Sequence, residues 1–176
     1  MGIATRPTSD RLRETVFNVL APRIEGARFL DLYAGSGAVG IEAVSRGAQN
    51  VVMVERAAPA LKILRGNLEK LGLRVGVQVE AVSVTAFLKK VRPENAAIVF
   101  DIVFLDPPYD AQDEYALALG LVGGDASRLL AKGAVVIAEH RRKQKLPDQY
   151  GVLVRTRVLE QGDAALTFYE LGQSAG

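Results

Sequence analysis

Three observations predict a doubly wound α/β fold whose sheet is mostly parallel and closes on an antiparallel hairpin. Short apolar runs alternate with helical stretches from residue 28 to residue 139, the pattern of strands joined by helical crossovers. The first run leads into Gly35-Ser36-Gly37-Ala38-Val39-Gly40, a glycine turn between strand and helix. The last two runs, Gly151–Arg157 and Ala164–Leu171, meet around Gln161-Gly162-Asp163 with no helix between them, as a hairpin does. Right-handed crossovers wind such a sheet in both directions from its first strand. At 176 residues the chain is expected to be one domain, with residues 5–27 as an N-terminal helical segment and 28–171 as the core.

Each element has a local cause. Pro7 bars helix before it, and Thr8, Ser9 or Asp10 can cap the turn that follows; Leu12, Val16, Val19 and Leu20 then share one helical face. Pro22 and Gly26 mark the next loop. Arg28–Tyr33 reads as strand one, and a helix over 38–46 is ended by Gly47. Asn50–Glu55 is strand two. An amphipathic helix over 57–71 places Leu61, Leu64, Leu68 and Leu71 on one face, with Gly72 after its end. Residues 74–81 alternate as strand three, weakened by Gly76, and 84–91 form a short helix before the loop Pro93-Glu94-Asn95. Residues 97–105 are apolar but for Asp101, which suits a fourth strand buried on both faces. A helix over 114–122, the Gly123-Gly124 break, a short helix over 126–130 and strand five at Ala134–Glu139 complete the core.

Composition excludes several classes. No apolar run approaches the roughly 20 residues of a membrane-spanning helix, and Met1–Pro7 lacks the apolar core of a secretion signal. The absence of cysteine excludes disulfides, thiolate metal sites and a cysteine nucleophile; a single histidine, His140, excludes a multi-histidine metal site. A cytoplasmic protein without membrane or metal partners is expected. The net charge of +2 permits a nucleic-acid partner without demanding one.

In a doubly wound sheet, ligands sit beyond the carboxyl ends of the strands, where the winding reverses. Strands one and four are neighbours there in the usual order, so the glycine turn should face Asp106-Pro107-Pro108-Tyr109. Pro107 and Pro108 fix φ and donate no hydrogen bond, which ends the strand and leaves the Pro107 carbonyl to a ligand. Asp106 and that carbonyl offer two adjacent acceptors, and Tyr109 a flat face, which suits a planar base carrying an amino group. Read blandly, the same residues are a strand stop and a surface turn. Accepting both N–H bonds favours a pyramidal nitrogen with its lone pair directed outward, so positioning and electrostatics carry the rate. The base must be extruded or already unpaired. Adenine, cytosine and guanine all carry such a group.

The glycine turn and Glu55, placed at the end of strand two to accept ribose hydroxyls, suit a dinucleotide or S-adenosylmethionine. Asp31 favours the second: at the strand end, four residues ahead of Gly35, it fits the ammonium of a methionine moiety and would repel a pyrophosphate. The chain also offers no hydride-transfer apparatus. A Rossmann-like class I S-adenosylmethionine-dependent methyltransferase sheet is therefore expected, with S-adenosylhomocysteine as product. Asp31, Tyr33, Gly35, Ser36, Gly37, Glu55 and Arg56 form the expected cofactor wall. The adenine falls near Ser83, Val84 and Phe87, where many methyltransferases place an Asp at the position of Ser83. Arg6, Arg11 and Arg13 read either as solvated arginines or as phosphate contacts. The cluster Glu139-His140-Arg141-Arg142-Lys143-Gln144-Lys145 reads as a solvated charged loop after strand five, or as a rim contact to phosphates. The chemistry needs no base from His140.

Asp31-Leu32-Tyr33-Ala34-Gly35-Ser36-Gly37 together with Asp106-Pro107-Pro108-Tyr109 resembles the amino-methyltransferases of nucleic acids. The opening Arg6-Pro7-Thr8-Ser9-Asp10-Arg11-Leu12-Arg13-Glu14-Thr15-Val16-Phe17-Asn18-Val19-Leu20 is more specific. With Gly40-Ile41-Glu42-Ala43-Val44-Ser45-Arg46-Gly47-Ala48 it resembles the RsmD family of bacterial 16S ribosomal RNA methyltransferases, over nearly the whole chain. The resemblance implies N2-methylation of one guanine in small-subunit rRNA. It puts the family's cofactor residues on Asp31, Gly35, Gly37 and Glu55, and its catalytic turn on Asp106 to Tyr109. It also sets the Arg-Pro-Thr segment on the substrate side, which favours Arg6, Arg11 and Arg13 as substrate-binding. Family members usually carry a basic, glycine-rich segment ahead of that motif, and this chain begins almost at it. The expected partner is 16S rRNA within a small-subunit assembly particle. Two other readings stand beside this one. A DNA adenine-N6 or cytosine-N4 amino-methyltransferase would need a target-recognition segment, and none is long enough. An inactive S-adenosylmethionine-binding module would not need the intact turn at 106–109.

Overall fold

The computed structural model describes residues 7–90, 99–108 and 112–173. Helix α1 (Pro7–Leu20) precedes β1 (Arg28–Asp31), α2 (Ala38–Ser45), β2 (Asn50–Val54), α3 (Ala58–Leu71), β3 (Val77–Glu80), α4 (Val84–Lys89) and β4 (Phe100–Leu105). Then come α5 (Gln112–Val122), a 3-10 turn at Ser127–Leu129, β5 (Leu130–Arg141), β6 (Gln149–Tyr150), β7 (Leu153–Gln161) and β8 (Ala164–Leu171). One eight-stranded sheet runs in the order β3-β2-β1-β4-β5-β8-β7-β6. It is parallel from β3 to β5 and antiparallel from β8 to β6. Winding reverses between β1 and β4, which opens a crevice at their carboxyl ends. None of the described helices is long and apolar enough to cross a membrane.

The central strands are apolar on both sides because helices cover both faces. Leu12, Val16, Phe17 and Leu20 of α1, with Leu61, Leu64 and Leu68 of α3, pack over Phe29, Met53, Ile102 and Phe104. On the other face, Val84 and Leu88 of α4, with Tyr115, Ala118, Leu119 and Val122 of α5, pack over Leu30, Val52, Val103 and Leu105. Each fully buried Leu or Phe stabilises by about 1.5–3 kcal/mol. The buried residues of α1 therefore suffice to hold that helix on the sheet beside the crevice. Phe17 stacks 6.1 Å from Phe29, and the Arg46 guanidinium lies 5.5 Å above the Phe17 ring.

Several elements differ from the sequence reading. Strand three is only Val77–Glu80, because Gly76 turns with φ +78 just before it. Leu71, at the last turn of α3, is 58% exposed rather than packed with Leu61, Leu64 and Leu68. The short helix expected over 126–130 is the three-residue 3-10 turn. The largest correction concerns β5. It continues past Glu139 through His140 and Arg141, which the sequence reads as a loop, because β8 pairs with it from Val135 to Arg141. The edge strand β6 was not anticipated. It covers only the start of β7, and a bulge between Arg155 and Arg157 disrupts the exposed edge beyond it, which discourages pairing with another chain.

Candidate active site

Strand register brings three acids together. Asp31, the last residue of β1, lies opposite Phe104 of β4, and the Leu32 N–H donates to the Phe104 carbonyl at 3.0 Å. Asp106 follows two residues later. On the other side of β4, Leu105 lies opposite Ala138, so the next residues in register, Asp106 and Glu139, stand side by side, and each carboxyl group shifts the other's pKa. The glycine turn and the Asp106 turn thus meet at the switch point, as the sequence predicts. Arg6 and Tyr109 lie outside the described residues. Pro107 is buried and Pro108 exposed.

Asp31 is 1% exposed, and neither carboxyl oxygen has a hydrogen-bond partner. Burial, then repulsion from Asp106, pushes its pKa up to about 7. The N–H groups of Tyr33 and Gly40 pull the other way but do not reach hydrogen-bonding geometry. An orphaned buried carboxyl is costly and needs an explanation. A cationic ligand supplies one.

Asp106 is exposed to solvent, yet the protein packed around its carboxyl group pushes its pKa up to about 6 against the pull of Glu139. For Glu139, burial comes first, then the charge and hydrogen bond of Asp106 and the charge of Asp31; together they push it up to about 9. Arg13 opposes this shift, which places α1 beside the site. Arg13 also pairs with Asp10 at 3.1 Å, and Arg11 is exposed. Among the described residues, no three His, Cys, Asp or Glu side chains are grouped to hold a metal ion.

The glycine turn is locked from two sides. Glu55 accepts the Gly35 N–H and the Ala57 N–H, each at 2.9 Å, which leaves lone pairs on its two oxygens. Asn67 of α3 donates to the Ser36 carbonyl at 2.9 Å. A Cβ at Gly37 (φ +89) would meet Leu64 Cδ1 at 2.2 Å, and one at Gly40 would meet Met53 Sδ at 2.5 Å. The second and third motif glycines therefore let α3 and β2 approach the turn. Gly35 (φ +57) faces open space. Gly35→Ala should accordingly cost about 1–2 kcal/mol from the left-handed backbone alone. Gly37→Ala adds overpacking against Leu64 and should cost roughly 2–4 kcal/mol. Urea denaturation of the two variants checks the ranking, and equal losses would refute the packing role of Gly37.

Tyr33 donates its hydroxyl to Glu114 Oε2 at 2.7 Å, tying the turn to α5; burial and that bond push the phenol well above its usual range. Arg56 is exposed next to Glu55. Ser83 caps α4, its Oγ accepting the Ala86 N–H at 3.0 Å, so the hydroxyl that the sequence assigned to the adenine is already engaged as an acceptor. Val84 is 7% exposed. His140 points away from the chemistry expected of a base. Its Nδ1 lies 2.8 Å from the Arg141 carbonyl and must carry the proton, so Nε2, at 2.6 Å, accepts from the Thr167 hydroxyl. Burial pushes its pKa down and keeps it neutral.

Sequence reasoning missed Glu139, Asn67 and Glu114. Glu139 carried a signal: it ends the apolar run Ala134–Ala138 on a strand expected beside the fourth. Asn67 and Glu114 carried none, being polar residues on helices.

The strand order and the placement of the crevice define a class I S-adenosylmethionine-dependent methyltransferase fold. Solved structures agree: YhhF of Escherichia coli superposes with a TM-score of 0.78 at 31% identity, over 95% of this chain and 88% of that one. A protein of Thermus thermophilus gives 0.77 at 32%, over 97% and 91%. The chain belongs to the RsmD family: the family model described as "Conserved hypothetical protein 95" matches residues 1–170. YlbH of Bacillus subtilis is 37% identical over 169 residues, 96% of this chain and 89% of YlbH. "Ribosomal RNA small subunit methyltransferase D" of Buchnera aphidicola is 32% identical over 141 residues, 80% of this chain and 70% of that protein.

Proposed function

We propose that this protein transfers a methyl group from S-adenosylmethionine to the exocyclic N2 amino group of a guanine in bacterial 16S rRNA. The observation that carries the reading is the buried, unpartnered Asp31 beside Asp106 at the β1–β4 crevice. The rRNA is supported by the Buchnera relative's name, and the guanine by what the sequence's resemblance to the RsmD family implies. The residues fit the cofactor. Asp31 would hold the ammonium, Glu55 would accept ribose hydroxyls with its remaining lone pairs, and Tyr33, Gly35, Ser36 and Gly37 would wall the methionine moiety. Ser83 and Val84 would border the adenine, with Arg56 at the rim. When bound, S-adenosylmethionine supplies an electrophilic methyl on a sulfonium. The chain's own work is positional: Asp106 and the Pro107 carbonyl accept the amino N–H bonds, Tyr109 stacks on the base, and Arg6, Arg11 and Arg13 meet rRNA phosphates. The substrate is taken as part of a small-subunit assembly particle in the cytoplasm.

Incubation of the purified protein with labelled cofactor and either naked 16S rRNA or partly assembled subunits, followed by nucleoside analysis, tests this. Labelled N2-methylguanosine is expected. Label in adenine or cytosine of duplex DNA, with none in rRNA, would overturn it.

A further inference from the structure

We infer that Glu139 is a positioning residue for the proposed reaction: it shares one proton with Asp106 and holds that carboxylate, ionised, toward the amino group it receives. The inference rests on the methyltransferase reading of Asp106. The register of β4 on β5 sets Asp106 beside Glu139, and two carboxyl groups so placed are held together by a proton between them, since an ionised carboxylate only accepts hydrogen bonds. Glu139 is the anchored member. Its main chain pairs with Leu166 of β8, and its carbonyl accepts the Tyr115 hydroxyl at 2.7 Å. Asp106 lies beyond the last paired residue of β4, Leu105. The groups facing the pair are Asp31 from β1, which opposes a second negative charge, and Arg13 from α1, which favours ionised Glu139. Burial raises both carboxyl groups, and Glu139 also faces the charges of Asp106 and Asp31, so the shared proton resides on Glu139 and Asp106 carries the charge at neutral pH.

The arrangement also accounts for the surplus proton. The nitrogen lone pair forms the N–C bond, the C–S pair stays on sulfur, and the methylated nitrogen gives its extra proton to Asp106. The pair then holds two protons and returns one to water at the solvent-facing side of Asp106.

Two variants separate positioning from bulk structure. Glu139→Gln keeps a donor toward Asp106 but cannot ionise; Glu139→Ala removes the donor. Glu139→Ala should lose about tenfold in kcat, the worth of one hydrogen bond to a charged group, with KM for the cofactor within about threefold. Glu139→Gln should recover kcat at pH 7 to within about threefold of the parent. It should also lack the fall in rate that the parent shows at alkaline pH, where Glu139 ionises against Asp106. Infrared spectra of the protein alone, labelled with carbon-13 glutamate, should show a protonated glutamate carboxyl at pH 7 that Glu139→Gln lacks. No such band, full kcat in Glu139→Ala, or equal damage in the two variants would overturn the inference. The spectra need no RNA, so a parent protein that shows the band but methylates no rRNA would instead refute the proposed reaction.

Discussion

Asp31→Asn should be more thermally stable than the parent at pH 8 and should no longer bind S-adenosylmethionine. Asp31 is 1% exposed with two unpartnered oxygens, and its pKa is raised from 3.8 to about 7. Below pH about 4, folded and unfolded chains are both protonated at this site and it costs nothing. Between 4 and 7 the unfolded chain gives up its proton while the folded one keeps it, so stability falls as pH rises; above about 7 the whole cost is present. At about 1.4 kcal/mol per unit, that cost approaches roughly 4 kcal/mol. Asparagine recovers only part, because a buried amide also lacks partners, so a net gain of about 1–3 kcal/mol is expected. For a chain of this size that is a rise in Tm of roughly 2–10 °C. The advantage should shrink at pH 5, where folded Asp31 is still protonated. On the binding side, removing one member of a buried ion pair costs about 3–5 kcal/mol, or roughly two to nearly four orders of magnitude in Kd. Thermal melts with and without cofactor measure both effects. A variant less stable than the parent at pH 8, or one still stabilised by cofactor, would contradict this account.

That trade-off was half visible in the sequence. The spacing of Asp31 from Gly35 places a carboxylate at the end of β1, and the alternation of strands and helices gives the neighbour relation between β1 and β4. These are local periodicities read against a general rule of parallel sheets, and they survive folding. Contacts set by register do not appear in composition. Glu139 opens the run Glu139-His140-Arg141-Arg142-Lys143, which looks like solvated charge. Its burial follows from β8 pairing with β5 past the end of β4, and β8 lies some 25 residues further along. The same limit hid Leu64 and Asn67 as clamps on the glycine turn, since the helical pattern of α3 says which residues face inward but not which loop they touch. The base is a different case. The acid-proline-proline turn suits an amino group in the proposed reaction, and nothing in its residues distinguishes guanine from adenine or cytosine. Guanine is only what the resemblance to the family implies.

Asp106→Asn is expected to lose roughly two to three orders of magnitude in kcat while KM for the cofactor changes only a few-fold. The cofactor's ammonium lies with Asp31 and its ribose with Glu55 in the proposed arrangement, so Asp106 contributes little to ground-state binding. Its acceptor role grows as positive charge develops on the attacked nitrogen, and loss of one such preorganised interaction costs about 10²–10³ in rate. Asparagine preserves size and one acceptor oxygen, but it cannot carry the charge or receive the proton. The pH profile separates this from a folding defect. Asp106 must be ionised to act, and its pKa is raised to about 6, so the parent's kcat should rise as pH increases through 6. At pH 5 it should stand about tenfold below the plateau. In Asp106→Asn that acid limb should vanish from whatever activity remains, leaving a profile flat between pH 5 and 7. Single-turnover assays across this range, on protein shown by circular dichroism to be folded, make the comparison. An acid limb near 6 that persists in the asparagine variant assigns the titration to another group and removes Asp106 as the acceptor.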